Sequence, residues 1–113
     1  MTNFGVRVDE RDGEVRFVLS DEFDLSAVEQ VEHELRRAEE RRPALLVFDL
    51  RGLTFLDSSG LRVITSAYKR AEAEGRRLVL IEGPEIVMRV FRITQLDQRL
   101  EIVSDPSAVI AES

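Results

Sequence analysis

The sequence contains no cysteine, no tryptophan and a single histidine, His33, among its 113 residues. The lack of cysteine excludes disulfides, thiol catalysis and thiolate metal sites. Lys69 is the only lysine, so the sequence gives little support for a phosphate-binding loop that depends on a lysine. No apolar stretch approaches the roughly 20 residues that a membrane-spanning helix needs, and residues 1–10 lack the basic and apolar regions of a signal peptide. These absences predict a cytoplasmic protein that makes no use of a membrane.

The overall charge restricts the class of partner. The chain carries 22 acidic and 16 basic residues, which gives a formal net charge of -6. This excess of negative charge opposes binding to a phosphate backbone, so nucleic acid is not expected as a partner. Apolar residues make up 43% of the chain, enough for one core, and we expect a single domain over residues 1–113.

Alternating apolar residues predict a β-hairpin near the N-terminus. Residues 4–8 alternate between apolar and other side chains, and residues 15–19 do so again. Between them lies the dipeptide Asp12-Gly13, which favours the tight turn of an antiparallel hairpin.

Two later segments have the character of central parallel strands. Residues 44–48 and 77–81 are apolar without alternation, as in strands that are covered on both faces. A last short strand is expected at residues 100–103. Because helical patterns separate these strands, the sequence predicts a single α/β domain: a mixed, mostly parallel sheet of about five strands, with an N-terminal antiparallel hairpin and helices packed against it.

Start and stop signals mark the helices between the strands. Ser26 and Glu29 have the spacing of a capping box, which predicts a first helix beginning there. Gly75 is placed to end a second helix, and Pro84 suits the first position of a third. A short terminal helix is expected at residues 106–111.

The most informative segment is residues 53–61, at the junction of a buried strand and the following helix. It contains Asp57, Ser58 and Ser59 in a row, followed by Gly60. Ligand sites of parallel sheets lie at this kind of junction, where free N–H groups of the helix attract anions. Any of the three polar residues could equally be a plain helix cap. Three polar residues in a row exceed what one cap needs, so a modification or binding site remains an alternative interpretation.

The order of several motifs resembles STAS domains, in particular bacterial anti-sigma factor antagonists. The run of residues 55–61, followed by a helix with Tyr68-Lys69, is similar to the signature loop of that family. Glu22-Phe23-Asp24 resembles its acidic turn after the second strand, Gly83-Pro84 its entry into the third helix, and residues 91–94 the end of that helix. The resemblance therefore covers nearly the whole chain.

The resemblance implies a switchable binding protein and not an enzyme. In that family the serine directly after the aspartate, here Ser58, is phosphorylated by an anti-sigma factor that is itself a serine kinase. The unphosphorylated form binds that kinase and releases a sigma factor, and a PPM-type phosphatase later removes the phosphate. No cofactor or metal is expected, because the kinase would hold the ATP. The implied phosphorylation and partner-binding residues are Glu22, Asp24, Asp57, Ser58, Ser59, Gly60 and Arg62.

Some of these residues have plainer interpretations. Glu22 and Asp24 fit a solvated turn almost as well as a partner surface. Arg62 stands where relatives often have glycine, so it either alters partner choice or is a surface charge. Thr54 and Ser59 could support the loop by hydrogen bonding, and Ser59 is the stronger candidate for the N-cap of the helix.

Two further positions depart from the family pattern. Asp21, before the acidic turn, and Gln95, after the third helix, both stand where relatives usually have glycine. Aspartate tolerates a positive φ better than glutamine does. The geometry of the turn and the choice of partner therefore stay open.

Three other interpretations compete with an antagonist. A STAS scaffold or a binding subunit of a transport or stress-sensing complex would work without phosphorylation, and the retained Asp57-Ser58-Ser59 argues against it. A serine hydrolase needs a base near Ser58, yet His33 is a whole helix away and no nucleophile elbow is present. A phospho-aspartate receiver needs an acidic cluster after the first strand and a late lysine, and both are missing.

Overall fold

The computed structural model describes residues 3–109. This part of the chain forms one five-stranded sheet with three α-helices and three short 3-10 turns. The strands are β1 (Gly5–Arg11), β2 (Glu14–Phe23), β3 (Leu45–Leu56), β4 (Arg77–Ile81) and β5 (Glu101–Val103). The helices are α1 (Val28–Glu40), α2 (Ser58–Ala73) and α3 (Glu85–Ile93), and the 3-10 turns are Leu25–Ala27, Leu96–Gln98 and Pro106–Ala108.

The sheet has the predicted mixed topology. Its strand order is β1-β2-β3-β4-β5; β1 and β2 are antiparallel, and each later strand is parallel to its neighbour. The hairpin turn is Asp12-Gly13, where both residues have positive φ, at 47° and 84°. Two consecutive positive φ angles are what a two-residue hairpin loop requires. The α/β fold class and the N-terminal hairpin are therefore confirmed.

The main hydrophobic core lies between the sheet and the helices. Parallel strands added in chain order, with right-handed crossovers, place their connecting helices on one face of the sheet. Alternate residues of the central strands, such as Phe17, Phe48 and Leu80, are fully buried on that face against Leu35 of α1 and Phe91 of α3. This packing fixes the strand ends from which the loops of the candidate site emerge.

A smaller cluster lies on the helix-free face of the sheet. Leu45, Val47, Val79 and Ile81 are buried there, and Val109 packs against them from the segment that follows β5. The short final segment therefore covers part of this face.

One carboxylate is buried on the helix-free face. Asp49 shares that face with Leu45 and Val47 because they alternate along β3, and it is only 2% exposed. Its carboxylate accepts two hydrogen bonds from the Arg51 guanidinium, at 3.0 and 2.7 Å, and one from the Arg51 N–H. Burial alone would raise the pKa of Asp49, but the bonds and charge of Arg51 outweigh it, so that the pKa lies below its usual value.

Strand β3 is much longer than the predicted segment 44–48. Only Leu45–Asp49 pairs with β4, whereas the later part, up to Leu56, pairs with β2 alone. Two irregularities in the β2–β3 register accompany this extension. The strand therefore carries the following loop well past the end of β4.

Three predicted helix boundaries need correction. The capping box of Ser26 and Glu29 is wrong, because the Ser26 N–H and hydroxyl both donate to the Asp24 carboxylate and a 3-10 turn precedes α1. Pro84 is the N-cap of α3 and not its first helical residue. In the segment predicted as a terminal helix, a single 3-10 turn ends at Ala108, and residues 110 and 111 lie outside the described residues.

Candidate functional site

The serine loop of the site joins β3 to α2, and Asp57 caps the helix that begins there. The backbone of Asp57 is extended, with φ -102° and ψ -176°, and its carboxylate accepts a hydrogen bond of 3.0 Å from the Gly60 N–H. This is the usual geometry of an aspartate N-cap. Asp57, and not Ser59 as expected, is therefore the cap, and neither serine is needed for that role.

Ser58 is the first residue of α2, and its side chain is exposed. No hydrogen bond to its hydroxyl is found within residues 3–109. Ser59 beside it is half-buried, and the same holds for its hydroxyl in the described part of the chain. The structure therefore leaves the Ser58 oxygen accessible at the surface, next to a fixed carboxylate.

Gly60 is buried because the first turn of α2 lies directly on the end of β2. A Cβ atom on Gly60 would come within 2.8 Å of the Phe23 carbonyl oxygen and 2.7 Å of Leu56 Cδ1. The same carbonyl oxygen accepts a hydrogen bond of 3.3 Å from the Asp57 N–H. The main chain of Phe23 therefore holds the serine loop in place.

The acidic turn adjoins the serine loop through the same residue. Glu22 pairs with Phe55 and Phe23 with Leu56 in the parallel register of β2 and β3. Asp24 follows immediately and is engaged with Ser26, as described above. Because the 3-10 turn also contacts α2, the structure brings Glu22 and Asp24 to the edge that carries Ser58.

Arg62 and Thr54 lie at the two borders of the loop. Arg62 is exposed on the first turns of α2, and no ion pair of its guanidinium is found among the described residues. Thr54 is exposed in β3. No hydrogen bond from Thr54 to the loop is found in the described part of the chain, so the expected support by Thr54 is absent there.

The two departures from glycine both occupy the left-handed region. Asp21 has φ 67° and Gln95 has φ 62°. Residues with a Cβ are strained in this conformation, and glutamine more than aspartate. The backbone therefore keeps the turns that glycine would favour, at some cost in conformational energy at Gln95.

The N-terminus of α2 can accommodate an anion. The N–H groups of the first helical residues have no acceptor within the helix, and the Asp57 side chain takes only that of Gly60. The N–H groups of Ser58 and Ser59 therefore lie at the positive end of the helix dipole without an acceptor in the helix. A phosphate on Ser58 would lie beside these donors, but also beside the Asp57 carboxylate.

Sequence analysis missed two exposed hydrophobic side chains at this edge. Leu25, in the 3-10 turn, is 73% exposed, and Phe55, near the end of β3, is 41% exposed. The sequence feature that could have indicated this exposure is the apolar Leu25 in an otherwise polar turn segment.

Other kinds of site find little support in the described residues. Within residues 3–109, no group of three His, Asp or Glu side chains is arranged to hold a metal ion. His33 is exposed on α1. In the same residues no helix is both long and apolar enough to span a membrane.

Comparison with known proteins places the chain in a family. Residues 6–108 match the STAS domain. The chain therefore belongs to the STAS domain family, as the order of its motifs indicated.

Known relatives refine the comparison. The anti-sigma-B factor antagonist of Listeria monocytogenes is 28% identical over 101 residues, which cover 88% of this chain and 89% of the relative. The structure of the anti-sigma factor antagonist SpoIIAA in its unphosphorylated form superposes with a TM-score of 0.81 at 22% identity, covering 96% of this chain and all of that one. The phosphorylated form of the Bacillus cell fate determinant SpoIIAA gives 0.75 at 21% identity, over 93% and 96% of the two chains. These structures share the fold of this chain.

Proposed function

We propose that the protein is an anti-sigma factor antagonist that is switched by phosphorylation of Ser58. The unphosphorylated form binds an anti-sigma factor with serine kinase activity and so releases a sigma factor in the cytoplasm. The kinase phosphorylates Ser58, which ends binding, and a PPM-type phosphatase restores the free hydroxyl. The protein itself acts by binding and not by catalysis.

The observation that carries the proposal is the exposure of Ser58 beside a separate N-cap. Because Asp57 already caps α2, the Ser58 hydroxyl has no structural task among the described residues. It is accessible to an enzyme, and Glu22 and Asp24 lie on the same edge as a surface for recognition. The STAS family match and the Listeria relative support the same function.

Electrostatics explain how a phosphate would end binding. A phosphoserine adds a charge of about -1.5 to -2 at neutral pH. Two unit charges ~6 Å apart repel by roughly 3 kcal/mol at an effective dielectric constant of ~20. Closing an interface over Ser58 and Asp57 would confine both charges, which corresponds to about a hundredfold loss of affinity before desolvation is counted.

The fold should survive the modification. The unsatisfied N–H groups of Ser58 and Ser59 can solvate part of the added charge in the free protein. In SpoIIAA, whose fold this chain shares, a phosphorylated form has a solved structure. We therefore expect a local block of docking and no refolding.

Affinity capture with the chain as bait tests this function. The bait is applied to host lysate with ADP or ATP, and phosphosites are mapped by mass spectrometry. We expect recovery of an anti-sigma factor of the kinase fold and a phosphate on Ser58. Recovery of membrane transport subunits, with Ser58 unmodified, would contradict the proposal.

Variants at the two serines provide the matched comparison. Ser58→Ala should bind the captured kinase persistently, and Ser58→Asp should bind about a hundredfold more weakly while keeping its melting temperature. Ser59→Ala is the control and should still be phosphorylated at Ser58. Equal affinity of Ser58→Ala and Ser58→Asp would refute the switch.

A further inference from the structure

Four large hydrophobic side chains are exposed in the described part of the chain, and two of them border the serine loop. Leu25 is 73% and Phe55 41% exposed, whereas Ile86 and Ile93, at 61% and 70%, lie on α3. Single exposed hydrophobic residues are common on protein surfaces. Leu25 and Phe55 differ from such single residues because both lie near Ser58.

The main chain ties Leu25 and Phe55 to the serine loop. Phe55 lies three residues before Ser58 and pairs with Glu22 across the β2–β3 register. Leu25 lies two residues after Phe23, whose carbonyl accepts the Asp57 N–H. The 3-10 turn that contains Leu25 also contacts α2. Both hydrophobic residues therefore keep a fixed position relative to the hydroxyl of Ser58.

Neither side chain belongs to the buried clusters of the molecule. Leu25 is mostly solvated, and the 3-10 turn is held by the Asp24 carboxylate and by the hydrogen bond from the Ala27 N–H to the Asp24 carbonyl. Truncating Leu25 should therefore cost little stability, whereas Phe55→Ala should cost more because Phe55 is only 41% exposed.

The charges around the pair indicate the chemistry of what covers it. Glu22, Asp24 and Asp57 carry three carboxylates at this edge against the one guanidinium of the exposed Arg62, so the edge is net acidic, as is the chain with its net charge of -6. A complementary surface would present an apolar pocket bordered by basic side chains. The cores of protein interfaces are depleted of charged residues and enriched in aromatic ones such as Phe55, and their rims are polar.

We propose that Leu25 and Phe55 form the hydrophobic anchor by which the protein holds the anti-sigma factor. The inference rests on the proposed function, because it names the part of the same interface that supplies affinity. The anti-sigma factor covers both side chains with an apolar pocket and places basic residues against the neighbouring carboxylates. Affinity is thereby supplied by the hydrophobic pair, and the phosphate on Ser58 determines whether the pair can be reached.

Titration of alanine variants against the purified anti-sigma factor tests the anchor. The probe is the kinase recovered by affinity capture, and binding is measured by calorimetry with the unphosphorylated chain. Leu25→Ala and Phe55→Ala should each raise Kd about tenfold, because each removes roughly half of a large apolar side chain's burial energy. Ile86→Ala and Ile93→Ala are matched controls and should change Kd less than twofold. Melting temperatures confirm that all four variants are folded.

The outcomes of this titration separate the anchor from the switch. If Ser58→Asp weakens binding about a hundredfold but Leu25→Ala and Phe55→Ala bind as wild type, the anchor is wrong and the proposed function stands. If no anti-sigma factor is recovered, both fail. Sedimentation of the free chain adds a third outcome: a dimer that both alanine variants dissociate would assign the pair to a contact between two copies and overturn the proposal.

Discussion

Replacing Gly60 with alanine tests whether the site depends on the close approach of α2 to the end of β2. In an open helix this substitution gains up to about 1 kcal/mol, because alanine has the higher helix propensity. Here the new methyl group would lie 2.8 Å from the Phe23 carbonyl oxygen and 2.9 Å from Phe23 Cγ. Such distances are shorter than any relaxed contact, and one partner is main chain, so the helix must move.

The expected cost follows from this crowding. Overpacking of a buried site costs about 1–3 kcal/mol, and the immovable carbonyl places Gly60→Ala at the upper end. After subtraction of the gain in helix propensity, we expect a loss of about 2 kcal/mol in the free energy of unfolding, or a fall of about 8 °C in Tm. Urea denaturation followed by circular dichroism measures the first quantity, and the slope of the transition should not change.

Gly75→Ala is the matched control. Gly75 has φ 70°, and a Cβ atom added there would have no other atom within 4 Å, so alanine suffers backbone strain without a clash. It should lose about 1 kcal/mol. A Gly60→Ala variant as stable as the wild type would show that α2 does not rest on the Phe23 carbonyl, and the argument that one residue positions both loops would fail.

Three further changes test other parts of the structure. Gln95→Gly should raise the free energy of unfolding by about 0.5 kcal/mol, measured in urea, since glycine relieves the positive φ. Asp57→Ala should lower it by about 1 kcal/mol in the same assay, because the Gly60 N–H loses its acceptor. Asp49→Asn should lower it by about 1 kcal/mol at pH 7, because the hydrogen bonds from the exposed Arg51 guanidinium lose the charge of their acceptor. The folded-state pKa of Asp49 is lowered, so its contribution is present above pH ~4 and is lost as the pH falls further, which a pH series of melts would detect.

Each of these changes has a control in the same chain. Gln98→Gly, in the neighbouring 3-10 turn, should destabilise, because its φ is not positive. Asp57→Asn should keep most of the cap, since asparagine caps helices as well as aspartate does. Asp9→Asn, at a side chain that is 51% exposed, should change stability by less than about 0.5 kcal/mol at any pH. A loss for Asp49→Asn that persists unchanged at pH 2 would mean that packing, and not ionisation, explains it.

Local patterns in the sequence were sufficient for most of the fold. Alternation on both sides of Asp12-Gly13 predicted the hairpin, because a tight turn and two-residue periodicity are both local properties. The extension of β3 was missed for the opposite reason. Arg51 and Gly52 interrupt its apolar run, and only pairing with the distant strand β2 keeps these residues extended.

The site was predicted less completely than the fold. The prediction that Ser58 is the phosphorylated residue came from family resemblance and stays a prediction. Three adjacent polar residues do not reveal which one caps the helix, and the cap proved to be Asp57. The capping box at Ser26 was mispredicted for a similar reason. The Asp24 carboxylate accepts the Ser26 N–H that the Glu29 side chain was expected to accept. Residue types alone do not reveal which of two carboxylates accepts the bond. The contact between Gly60 and the Phe23 carbonyl was not predictable, since a main-chain oxygen is common to all residue types.

The carbonyl of Phe23 has a consequence for how such proteins diversify. It is an atom that substitution does not remove, and it sets the spacing between the acidic turn and Ser58. The side chains of Asp24, Leu25 and Arg62 can therefore change without moving the hydroxyl of Ser58.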